Sequence, residues 1–132
     1  MVDFVDAGFR TWGGDGFWKK VNAQRYFSLL GISSWIEVYV MTSKDFAKKY
    51  PKGRYGYVYI DGDHSYKGAK LDYKLFWPRL KKGGFMAFHD VAVKEWGRLK
   101  GFGVWKLWQE IKSEHKIIFP LRQSGLGIIQ KR

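Results

Sequence analysis

Cysteine is absent from this chain of 132 residues, so neither a disulfide nor a thiolate metal centre is available to it. Proline is scarce, at three residues. No apolar run approaches the roughly 20 residues a membrane-spanning helix requires, and no cleavable signal pattern is visible, which sets the expectation of a soluble, cytoplasmic protein without a membrane partner. Acid is the other shortage. Asp and Glu number 12 against 24 Lys and Arg, leaving a formal charge of +12 and an isoelectric point near 9.9. Such an excess invites a nucleic-acid partner, because clustered lysines release counterions from phosphate backbones. The clustering, however, is missing. Lys19-Lys20, Lys48-Lys49, Lys81-Lys82 and Lys131-Arg132 are pairs at the ends of expected elements, and no nucleic-acid recognition motif occurs. A solvated basic surface is therefore favoured over a nucleic-acid site. Internal repeats and low-complexity segments are absent as well.

What is present is enough apolar material for a core, 45% of residues, with aromatics at 19%. This bounds the chain to one domain, residues 1–132. Its organising stretch runs from Tyr57 to Asp90. Tyr57 to Ile60 is a short β-branched and aromatic run that reads as a buried strand, stopped by the turn Asp61-Gly62-Asp63. From a cap at Ser65 to about Lys81, apolar Ala69, Tyr73, Phe76 and Leu80 recur at spacings of 4, 3 and 4, one face of a helix, and Gly83-Gly84 is read as its end. Phe85 to Phe88 is a second apolar strand running into His89-Asp90. A strand joined through a helix to a neighbouring parallel strand brings both C-terminal ends to one edge of the sheet, where open α/β sheets bind ligands. Asp61, Asp63, His64, His89 and Asp90 are thus expected to gather there.

The string IDGDHSY, the acid Asp72, then WPRLKKGG and FHD resembles the fourth and fifth strands of class I S-adenosylmethionine-dependent methyltransferases. The nearest subgroup includes sugar O-methyltransferases and cephalosporin-hydroxylase-like proteins. The resemblance covers residues 55 to 112, including GVWKLWQEIK, and the flanks loosely. It implies a Rossmann-like, three-layer α/β fold with a mostly parallel sheet and a C-terminal antiparallel hairpin. The family's sheet has seven strands, three of them before the IDGDHSY strand, and this chain supplies two. Val2 to Asp6 and Trp35 to Met41 align best as the second and third, so the first strand and its glycine-rich cofactor loop are missing and the fold reads as N-terminally truncated. A second register makes Val2 to Asp6 the first strand and Gly13 to Gly16 a displaced cofactor loop, at the cost of a whole later strand.

The resemblance also implies roles for individual residues. Asp6 matches the acid that accepts hydrogen bonds from the ribose hydroxyls of S-adenosylmethionine, and Ser43 matches a position beside the adenine; each is also readable as an ordinary surface residue. Asp61 is the strongest functional residue, assigned to catalysis and to the cofactor. With His89 and Asp90, 29 positions beyond Asp61, it matches the set that holds magnesium in metal-dependent members. His89 departs from the acidic pattern, and an imidazole suits manganese, iron or zinc better than magnesium. A hydrogen-bonded ion cluster without metal is the competing reading. His64 falls where the family takes the proton from an acceptor hydroxyl, work suited to an imidazole near neutral pH; alternatively, His64 and Asp63 tie down the turn. Trp105, Trp108 and Ile111 form a core stripe on a helix from Val104 to Lys112, whereas Trp96, in a glycine-bearing loop, is placed to contact substrate.

Around this centre the reading gives a helix from Phe17 to Leu30 ended by Gly31, a short helix from Ser43 to about Tyr50, and a terminal hairpin of His115 to Leu121 with Leu126 to Gln130. His115 is read as a surface or edge residue. Two functions follow. One is methyl transfer from S-adenosylmethionine to a small hydroxylated or sugar-like acceptor, completed by a further chain or segment. The other is an inactive methyltransferase-like binding or assembly module whose basic surface meets an acidic partner such as nucleic acid. An opened sheet also predicts a homo-oligomer or a complementing chain.

Overall fold

The computed structural model describes residues 2–3, 20–94, 101–112, 115–120 and 124–132. Asp6, the glycines 13–16 and Trp96 lie outside the described residues. The chain forms two compact units, Met1–Lys49 and Tyr50–Arg132.

The first unit pairs two short strands in parallel, β1 (Val2–Asp3) and β2 (Tyr39–Val40), in the register Val2↔Tyr39 and Asp3↔Val40. Between them runs α1 (Lys20–Leu29). It ends as expected at Gly31, whose positive φ of 69° lets the Gly31 and Ile32 amides fold back on the Ser28 and Phe27 carbonyls at 3.0 Å each. Trp35 to Met41 is not the long strand its β propensity suggests. Ser33–Trp35 is a 3-10 turn, Trp35 is 87% exposed, and among the described residues the segment pairs at Tyr39–Val40. Propensity without a partner ladder leaves extended chain, not sheet. Helix α2 (Ser43–Lys49) is started by Thr42, whose Oγ1 accepts the Asp45 amide at 3.1 Å and donates to the Asp45 carboxylate at 2.7 Å.

The second unit is built on β3 (Tyr55–Ile60), α3 (Tyr66–Phe76), β4 (Leu80–His89), α4 (Val104–Glu110), β5 (Lys116–Phe119) and β6 (Leu126–Gln130). Its sheet has the order β3-β4-β6-β5, with β3 and β4 parallel and the others antiparallel. The expected strand, helix, strand crossover and terminal hairpin are both present. Helix α3 stops earlier than Lys81, because Pro78 has no amide hydrogen to continue the ladder and its ring crowds the preceding turn; Trp77–Arg79 is a 3-10 turn instead. Gly83-Gly84 is accordingly not a helix end. It lies inside β4, where Tyr55 pairs with Leu80 and Tyr57 with Phe85, so the strand bulges. Gly83 has φ 76°, and a Cβ on Gly84 would meet the Gly56 carbonyl at 2.7 Å.

Alternation along the strands sorts the two faces of this sheet. Met86 and Phe88 of β4, Ile60 of β3 and Ile129 of β6 are buried on one face, with α3 and α4 packed over them. The Phe88 ring lies 6.2 Å from Tyr73 of α3 and 5.9 Å from Trp108 of α4. Each such large side chain contributes about 1.5–3 kcal/mol on burial. On the opposite face Tyr57, Tyr59, Phe85, Ile117 and Phe119 are exposed. Some of the cationic excess serves the fold. Lys116 Nζ donates to the Trp108 carbonyl and, at 3.0 Å, to that of Ile111 at the end of α4, and Lys131 Nζ donates to the carbonyls of Trp77, Pro78 and Leu80.

Candidate functional site

Two loops follow the parallel strands of the second unit, and both carry polar side chains to the same edge. After β3, the turn Asp61 to Ser65 is held by its own residues. The Asp63 carboxylate accepts the Ser65 amide at 2.8 Å, and Ser65 Oγ caps α3 by accepting the Gly68 amide at 3.0 Å. Gly68 is needed here, since a Cβ would lie 2.2 Å from the Asp63 carboxyl carbon. Asp63 is thereby a turn residue. His64 is anchored through its backbone carbonyl, which accepts the Gly103 amide at 2.9 Å before α4, and its ring lies 5.2 Å from that of Phe102.

After β4, Asp90 takes a left-handed conformation with φ 60° and is 6% exposed. A non-glycine residue in this region carries strain that the surroundings must offset. The Val91 and Ala92 amides bond to the carbonyls of Gly125 and Ser124 in the β5–β6 turn, bracing the segment that follows. So held, Asp90 Oδ2 accepts His64 Nδ1–H at 2.6 Å, while Oδ1 lies 3.1 Å from His89 Nδ1.

Asp61, His64, His89 and Asp90 are therefore one cluster, as their positions at the two strand ends imply. His64 Nε2 lies 3.7 Å from Asp61 Oδ1, and His89 Nδ1 lies 3.2 Å from the same oxygen. The bond from Asp90, followed by the charges of Asp90 and Asp61, raises the pKa of His64 above the ordinary imidazole value although burial opposes it. Burial raises the pKa of Asp61, outweighing the two imidazoles that pull it down. Two further members were not singled out from the sequence. Tyr59, on the exposed sheet face, hydrogen-bonds the Asp61 carboxylate and packs edge-on to the His89 ring at 6.5 Å; burial and the Asp61 charge push its phenol up to about 12. Phe102 walls His64 from the other side. Strand alternation, which puts Tyr59 and His89 on one face, could have found the first.

The metal set expected from the resemblance is Asp61, His89 and Asp90, and His89 Nδ1 lies 3.2 Å from Asp61 Oδ1 and 3.1 Å from Asp90 Oδ1. One ligand atom each from Asp61, His64 and His89 lies within 4.8 Å of the others, close enough for one ion, and His89 Nδ1 is buried without a hydrogen-bond partner among the described residues. A set that includes two imidazoles suits magnesium poorly, since that ion prefers oxygen ligands; of the Asp90 oxygens, Oδ2 accepts from His64 and Oδ1 lies beside His89. Ser43 opens α2 in the first unit and is half-buried, with capping left to Thr42.

Comparison with known proteins bears on what this edge is for. Residues 4–91 match a protein family described as a methyltransferase domain. The chain is also 36% identical over 73 residues to an uncharacterized protein, y4gI, of Sinorhizobium fredii; the aligned part is 54% of this chain and spans 8% of that relative's length.

Proposed function

The chain belongs to the methyltransferase domain family, within the class I S-adenosylmethionine-dependent enzymes, and from that premise we propose that it methylates a hydroxyl of a small hydroxylated or sugar-like acceptor. We take residues 1–132 as one methyltransferase-like domain, since the family match runs across both compact units. The observation that carries the reading is the 2.6 Å bond from His64 Nδ1 to buried Asp90. In a neutral imidazole that bond consumes the only N–H, so Nε2 keeps its lone pair and faces the strand-end edge. A base held this way accepts the proton of an acceptor hydroxyl as the oxygen attacks.

S-adenosylmethionine supplies, when bound, a methyl group on a sulfonium centre. The chain's own tasks are to align the acceptor, accept its proton at His64 Nε2 and keep water out. Asp61, exposed at the end of β3, offers carboxylate oxygens to cofactor hydroxyls or amine, and its negative charge suits a sulfonium nearby. Asp6 for the ribose diol and Ser43 beside the adenine are the cofactor contacts that the family resemblance proposes within the first unit. The route uses no step through magnesium, because the donor set does not fit it.

Titration of the purified chain with S-adenosylmethionine, followed by transfer of a labelled methyl to a panel of hydroxylated acceptors, tests the reading. His64→Ala is expected to lower turnover by about 10²–10⁴-fold with cofactor affinity roughly unchanged. Absence of saturable cofactor binding to millimolar levels would instead favour the second reading, an inactive binding or assembly module. That reading is supported by the apolar sheet face of Tyr57, Phe85, Ile117 and Phe119 left exposed.

A further inference from the structure

Lysine pairs that stand far apart in the sequence meet at one end of the second unit. Parallel β3 and β4 start there together, Tyr55 opposite Leu80, and antiparallel β6 finishes there, Gln130 opposite Phe85. The Gly83 amide donates to the Lys131 carbonyl and the Lys131 amide, at 2.9 Å, to that of Gly84, so Lys131-Arg132 runs beside Lys81-Lys82. Lys52 and Arg54 lead into β3 at the same end. The segments that meet hold no acid: Asp and Glu are absent between Asp45 and Asp61, between Asp72 and Asp90, and after Glu114. Lys52, Arg54, Lys81 and Lys82 are exposed. Arg54 donates to the Pro78 carbonyl at 3.0 Å, a contact that leaves its charge uncompensated. Asp61, Asp63 and Asp90 lie at the opposite end of the same strands, so the sheet is basic at one end and acidic at the other.

The open sheet face begins at the basic end. Tyr57 and Phe85, opposite one another on adjacent strands, are 59% and 45% exposed. Gln130 and His115 continue that row across the sheet, and a depression of about 240 Å³ beside Phe85 is lined in part by Gln130, Ile128, Ile117 and His115.

We propose that this end of the sheet binds single-stranded nucleic acid, with phosphates on Lys52, Arg54, Lys81 and Lys82 and bases stacked on Tyr57 and Phe85. A basic strip that tracks the backbone, together with exposed rings for the bases, is what holding a single strand without reading its sequence requires. Aromatic side chains on an open four-stranded sheet are one way of supplying the rings. A duplex hides the faces of its bases and offers phosphates alone. An acidic polypeptide neutralises the lysines but brings no row of planar faces, and a second copy carries the same excess of +12 and neutralises nothing. Ile117 and Phe119, on the outer strand β5, remain for contact between copies. The proposal is independent of methyl transfer, since the His64 cluster lies at the other end of the strands.

The test is fluorescence anisotropy of the full chain with labelled oligo(dT) and oligo(U) of about 12 nucleotides, with a duplex and polyglutamate as competitors. Expected is saturable binding to both single strands that weakens with salt along a log–log slope of about −3, as four phosphate contacts require. Tyr57→Ala and Phe85→Ala should each weaken binding about 5- to 150-fold, with the slope and circular dichroism unchanged. Lys81→Glu with Lys82→Glu should weaken it and flatten the slope by about half. Lys67→Glu with Lys74→Glu changes the net charge equally on exposed positions of α3, over the opposite face, and should leave binding within a few-fold. Ultraviolet cross-linking with peptide mapping, which needs no variant, should mark the segments holding Tyr57 and Phe85. Absence of saturable binding at low salt, competition by duplex or polyglutamate as effective as by single strands, or undiminished binding in folded Tyr57→Ala and Phe85→Ala overturns the proposal. So does a light-scattering mass that falls in those two variants with no oligonucleotide bound by the parent chain, which would give this part of the face to a second copy.

Discussion

Asp90 holds the candidate site together. Its carboxylate is the hydrogen-bond acceptor that fixes His64, it is nearly buried, and its backbone sits at φ 60°. Asp90→Ala removes the acceptor while keeping a side chain in the disfavoured region, and a loss of about 1–3 kcal/mol is expected in urea unfolding. The same bond makes stability depend on pH. His64 has a raised folded pKa, so its contribution is fully present below the unfolded imidazole value, about 6.5, and is lost as pH rises through the folded value. The thermal midpoint of chelator-treated protein should therefore fall as pH rises through that window, and Asp90→Asn should flatten the fall. A midpoint that climbs across the window would contradict the Asp90–His64 bond. Asp61, His64, His89 and Asp90 were legible in the sequence because Asp61 and His89 directly follow an apolar run and His64 and Asp90 stand close behind them. Tyr59 was not, because a tyrosine within a strand reads the same whether its hydroxyl meets solvent or a carboxylate.

The crossover from β3 through α3 to β4 and the terminal hairpin followed from periodicity, since an apolar stripe and a short β-branched run leave few alternatives. The boundaries did not. Pro78 ends α3 at Phe76, and the double glycine becomes a bulge in β4 because two backbones approach there and Gly83 adopts a positive φ. The hairpin has a comparable constraint at Gly127, where a Cβ would lie 2.7 Å from the Trp108 ring and 2.8 Å from Val91 Cγ1. Gly127→Ala should overpack this contact and cost about 1–3 kcal/mol, measured by chemical unfolding. Unchanged stability would mean that Trp108 can move aside at little cost.

For the whole molecule the unresolved demand is the sheet face that α3 and α4 leave uncovered. Tyr57, Tyr59, Phe85, Ile117 and Phe119 present apolar side chains on it, and patches of this kind mark interaction surfaces. We expect self-association at micromolar concentration, and the double change Ile117→Lys with Phe119→Lys should shift light scattering toward the monomer; identical mass for both proteins would remove this face from the assembly. The sequence by itself determined the family, the α/β class and the convergence of acids and histidines on one edge, because residue period and the handed, parallel crossover are local or nearly local consequences of the chain. Only the tertiary structure decided that Asp90 faces His64 instead of solvent, that Tyr59 joins the cluster, and that Tyr57, Phe85, Ile117 and Phe119 stand exposed on one sheet face. Those depend on backbone angles and on packing between segments far apart in the chain, which no local pattern encodes.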